Sequence, residues 1–100
     1  MVQAHPFRKE QGYAPADMAY MHGVEAYNGH ARFDPRLEDC LKLAQGKCIT
    51  AGSDFHYDFQ AGSAGMIVPD DICDQFMLRD YLRTGRPVLF NREGILHIDW

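Results

Sequence analysis

One hundred residues, 46% hydrophobic against 24% charged, make one globular domain or a piece of one, with room for a modest core and without the composition of a disordered chain. A net charge of -4 and the lack of a basic patch argue against nucleic acid as a partner. No apolar stretch is long enough to span a bilayer and no secretory signal opens the chain; its cysteines, Cys40, Cys48 and Cys73, odd in number and widely spaced, suggest reduced thiols in a cytoplasmic protein.

Residues 2–4 read as the end of a strand, and Pro6 stops its ladder, which leaves His5 at the strand's C-terminal end. A strand beginning this early implies that further chain belongs upstream. Residues 9–21, broken by Gly12 and Pro15, read as a loop with a helical turn over 16–21 and Asp17 near its start. Residues 23–28 are the second strand candidate, with Val24 and Ala26 on one face and Glu25 and Tyr27 on the other; Asn28-Gly29 ends it with turn chemistry. A glutamate inside a strand lies on a solvated face or is aimed at a polar centre.

Asp34-Pro35-Arg36 predicts a helix start, with Asp34 as N-cap and Pro35 at the first helical position. Leu37, Leu41 and Ala44 follow at helical spacing beside Cys40, Glu38 and Lys42 stand one turn apart, and Gly46 fits the stop. Residues 48–51 form an apolar run that predicts a short buried strand. Residues 23–52 therefore read as strand–helix–strand, which implies a parallel pair. After a loop over 57–64, residues 65–68 predict a strand ended by Pro69. Asp70 and Asp71 then begin a helix whose apolar positions are Ile72, Phe76, Met77, Leu78, Tyr81 and Leu82, closed by Thr84-Gly85. Residues 87–91 and 95–98, on either side of Arg92-Glu93-Gly94, read as a hairpin. There is no internal repeat and no domain boundary.

The chemistry gathers in Ala51-Gly52-Ser53-Asp54-Phe55-His56. In extended backbone Asp54 and His56 point to one side, and a carboxylate with an imidazole is half of a divalent-metal site. Taken alone, the hexamer is more simply a turn capped by Asp54 with His56 in solvent. Two other strand ends shift the balance: His5 lies at the first, and Asn28 with His30 follows the second. In parallel α/β architectures, ligands and catalytic groups gather at the carboxyl ends of the strands.

Gln3-Ala4-His5-Pro6-Phe7-Arg8, then Gly23-Val24-Glu25-Ala26-Tyr27-Asn28-Gly29, then Thr50-Ala51-Gly52-Ser53-Asp54-Phe55-His56, in this order, resemble the later motifs of the PHP (polymerase and histidinol phosphatase) domain. The strand over 65–68 and its following helix also fit that domain's C-terminal part, so the resemblance spans nearly the whole chain. It implies an α/β fold that is the C-terminal portion of a distorted (β/α)7 barrel: about three parallel strands with helices, plus a C-terminal hairpin. It further implies a metal-dependent phosphoesterase acting on a small-molecule phosphate ester. His5 falls on the family's late histidine, and Asp54 with His56 on its closing Asp-x-His pair. These three are the candidate metal ligands, for manganese, zinc or iron. The family's early ligands, a His-x-His, a further His and a Glu, have no counterpart in this chain.

In an intact centre the metals would generate a hydroxide nucleophile, and Arg8 is the candidate catalytic cation beside them. Arg8 is equally readable as a solvated arginine. Glu25 reads as a structural or ligand-orienting acid, Asn28 and His30 as turn residues or the substrate mouth, His22 and His97 as surface histidines, Asp58 as a solvated loop residue, and the cysteines as small apolar groups. The expectation is a phosphoesterase segment, weakly active or inactive alone. The alternative is a non-catalytic metal-binding or accessory module, possibly completed by another chain or a second copy, because open strand edges pair readily.

Overall fold

The computed structural model describes residues 1–84 and 86–98. Three strands, β1 (Val2–Gln3), β2 (Gly23–Asn28) and β3 (Cys48–Gly52), form a parallel sheet in the order β1-β2-β3. The helix α1 (Leu37–Ala44) connects β2 to β3, as parallel pairing requires. Val24 and Ala26 of β2 and Ile49 of β3 are buried against Cys40 and Ala44 of α1, and Met18 and Leu89 complete this core. Apolar residues alternating on one face of β2, opposite a helix with its own apolar stripe, account for that packing.

β2 approaches β3 so closely at Gly23 that an added Cβ would lie 2.0 Å from the Cys48 carbonyl oxygen. Further along, the pairing slips by one residue between Glu25 and Tyr27. Such a bulge breaks the alternation of side chains and bends the strand. Glu25 and Asn28, three residues apart, would face opposite ways on a regular strand. Here Asn28 Nδ2 donates to Glu25 Oε2 at 3.0 Å.

A second, antiparallel sheet holds β4 (Ala64–Ile67), β5 (Val88–Asn91) and β6 (Gly94–Ile95), with β5 central. β5 and β6 form the expected hairpin, although its second strand is Gly94–Ile95 where 95–98 was expected, and β4 pairs with β5 instead of extending the parallel sheet. Asn91 Nδ2 donates to the Tyr27 hydroxyl at 3.2 Å, and Ser63 Oγ donates to the Gly29 carbonyl at 3.3 Å, so the two sheets meet next to the end of β2.

Both helices begin later than their sequence signals suggest. Asp34 does not cap α1; its Oδ1 accepts from Arg36 N at 2.9 Å in a local turn. Arg36, in the left-handed region at φ 53°, is the residue that enters the helix, and its guanidinium pairs with Asp39 at 2.7 Å. The helix α2 (Gln75–Thr84) starts past Asp70 and Asp71, with Asp74 Oδ1 accepting from Met77 N at 2.8 Å. None of its residues is buried: Leu78, Tyr81 and Leu82 are half-covered, and Phe76 and Met77 face outward. Its predicted closing residue Gly85 lies outside the described residues. Among those residues, no helix is long and apolar enough to cross a membrane.

Candidate functional site at the carboxyl ends of the parallel strands

His5 stands two residues beyond β1, His30 two beyond β2 and Asp54 two beyond β3. All three line one open cleft of about 500 Å³, together with Arg8 and His56. The sequence-predicted ligands are therefore on a shared rim. His5 (φ 27°) and Asp54 (φ 52°) both occupy the left-handed region, which costs a residue with a side chain about 1–3 kcal/mol. Each sits just past the end of its strand, and both line the cleft.

Arg8 organises the floor. Its Nη1 donates to Asp54 Oδ2 at 2.7 Å and its Nη2 to Asn28 Oδ1 at 2.7 Å. The guanidinium lies 4.4 Å from the centre of the Phe33 ring, and the side chain is only 5% exposed. Asn28 Oδ1 also accepts from His30 N at 3.0 Å. Glu25 Oε2, already bonded to Asn28, accepts from His5 N at 2.9 Å. The bulge in β2 thus lets one carboxylate hold both the loop after β1 and the side chain that grips Arg8.

Burial pushes the Asp54 carboxyl upward, but hydrogen bonds from Arg8 and Asn28 and the charge of Arg8 outweigh it and hold the group below its ordinary value. His56 is exposed, with Nδ1 2.9 Å from the carbonyl oxygen of Asp54. Its ring meets that of His30 edge-on at 5.9 Å. His5 packs against Tyr13 at 4.8 Å, and its Nδ1 is buried without a hydrogen-bond partner. An imidazole nitrogen left so is a vacant donor or acceptor beside the cleft.

His5, Asp54 and His56 do not make a cation site in this arrangement. Among the described residues, no group of three or more His, Cys, Asp and Glu side chains could hold a metal ion. One carboxylate oxygen of Asp54, Oδ2, is already bonded to Arg8 at 2.7 Å. Arg8, readable from sequence as a phosphate contact or a solvated arginine, is not solvated: it is buried at the cleft and paired with Asp54, one of the candidate ligands.

Several cleft residues escaped the sequence reading. Tyr13, Arg32, Phe33 and Tyr57 line the same space. A cation and an aromatic directly after the His30 turn were the available signal, since a guanidinium beside rings suits planar or anionic ligands. Tyr13 carried none, because the loop over 9–21 has no periodicity to aim it.

The chain matches no protein-family model, and no curated protein or solved structure matches it.

Proposed function

We propose that this chain is a PHP-like phosphoesterase segment whose rim cleft receives a small phosphate ester. The observation that carries the reading is local charge. In a chain of net charge -4, the cleft is lined by two arginines, Arg8 and Arg32, against one carboxylate, Asp54, with His5, His30 and His56 around them. A concave surface with this bias concentrates anions even on an acidic protein. Arg32 is exposed and available to phosphate oxygens, while Arg8 contributes a fixed charge from below. The sequence order of the three motifs, and their meeting on one rim of a parallel sheet, support the family reading.

A two-ion hydrolytic centre needs more ligands than His5, Asp54 and His56 supply, and Asp54 is engaged by Arg8. The isolated chain should therefore hydrolyse phosphate esters weakly or not at all. That engagement favours a second reading, an accessory module that binds without catalysis. A cytoplasmic setting suits either form.

The test is titration with phenyl phosphate, followed by amide chemical shifts. Movement centred on His30, Arg32 and His56, absent with phenol, is expected. Equal response to phenol, or shifts confined to another face of the molecule, would contradict the assignment.

A further inference from the structure

We propose that the Arg8 guanidinium stands in for a divalent cation, so that the cleft takes its phosphate ester without metal. The inference rests on the phosphate-ester reading and deepens it. A metal ion in such a centre would neutralise Asp54 and present positive charge to the phosphate. Arg8 does the first directly, at 2.7 Å from Asp54 Oδ2. The second task falls to Arg32, whose exposed guanidinium lines the same cleft, since Arg8 spends its single charge on Asp54.

Arg8 is also built in. Both ends of its fork are used, on Asp54 and on Asn28, and its face lies on Phe33. Asn28 is held by Glu25, which also holds the backbone of His5. Moving Arg8 aside to admit an ion would break two charge-assisted or buried hydrogen bonds and uncover an aromatic face. An ion entering with Arg8 in place would bind next to a like charge in a partly desolvated site, where repulsion is strong. The remaining candidates do not compensate: the His5 Nδ1 is buried, and His56 turns one nitrogen to its own loop.

Paramagnetic broadening by Mn²⁺, read residue by residue, tests this on the wild type and on Asp54→Asn. The wild type is expected to show no saturable broadening centred on His5, Asp54 and His56. Its affinity for phenyl phosphate is expected to be the same with a chelator as with Mn²⁺. Arg8→Met, if circular dichroism shows it folded, frees Asp54 and is expected to bind Mn²⁺ at least about tenfold more tightly than the wild type. If that variant does not fold, the wild type and Asp54→Asn decide. Saturable Mn²⁺ binding to the wild type, lost in Asp54→Asn, would overturn the inference, as would phenyl phosphate binding that requires Mn²⁺. Failure to bind phenyl phosphate under either condition would sink the ester reading itself, an outcome that the Mn²⁺ broadening reports separately.

Discussion

Arg8 and Asp54 stand 46 positions apart, yet Nη1 of the first donates to Oδ2 of the second at 2.7 Å. That bond ties the loop after β1 to the loop after β3 and fixes the two sides of the cleft. Truncating Asp54 to alanine leaves a buried guanidinium half-compensated. Breaking a fully buried pair in this way costs about 3–5 kcal/mol, and the partial exposure of Asp54 brings the expectation down to about 2 kcal/mol. Urea denaturation of Asp54→Ala measures it; a loss below about 0.5 kcal/mol would mean that the pair is no more than a surface contact.

The same carboxylate gives the protein an acid-side signature. Its folded value is lowered, so the native state gains from ionised Asp54 at any pH above the unfolded value of about 3.9. That gain is lost as the pH falls through the folded value. Urea midpoints measured between about pH 6 and pH 3 should therefore fall more steeply for the wild type than for Asp54→Asn. Parallel curves would show that Asp54 titrates alike in both states.

Cys40 and Cys73 should behave oppositely toward a thiol reagent. Burial first, and the neighbouring Asp39 second, push the Cys40 thiol up to about 12, whereas Cys73 is exposed. Because the thiolate is the nucleophile, Cys73 should be modified within the native state and Cys40 only on unfolding. Mass spectrometry after brief exposure to a disulfide reagent separates the two. The raised thiol also adds stability that is complete below its unfolded value and is lost as the pH climbs toward about 12.

Gly23 is required by the approach of β2 to β3. A methyl group there would meet the Cys48 carbonyl oxygen at 2.0 Å, and backbone cannot yield as a side-chain tip does. Gly23→Ala should cost about 3 kcal/mol or more and shift the amide resonances of both strands. A near-neutral change in the denaturation midpoint would show that the strands can part at this point without loss.

Much of the parallel sheet was readable because local signals and burial agree. The strand over 23–28 has the expected bounds, and β3 runs one residue past the expected 48–51. Val24, Ala26 and Ile49 are in the core where alternation put them. The site was legible as a set of positions, since the end of each strand is where a parallel sheet exposes its polar groups. Its bonding was not. Nothing local in Arg8 announces a partner beyond α1 and β3, and the bulge that lets Glu25 reach Asn28 leaves no mark on the hydrophobic pattern. Helix starts were misjudged for a related reason. Asp34 is a good capping residue, but a side chain that holds a turn looks the same in sequence as one that caps a helix.

The outward-facing residues of α2 have a thermodynamic corollary. A helix with none of its residues buried contributes little to the free energy of the core it leans on. Its amide protons should exchange with solvent by local detachment, far faster than those of β2 and β3, which exchange only when the whole domain opens. The rim and its network would then survive excursions that strip this helix away, since none of the bonds that hold Arg8 passes through it.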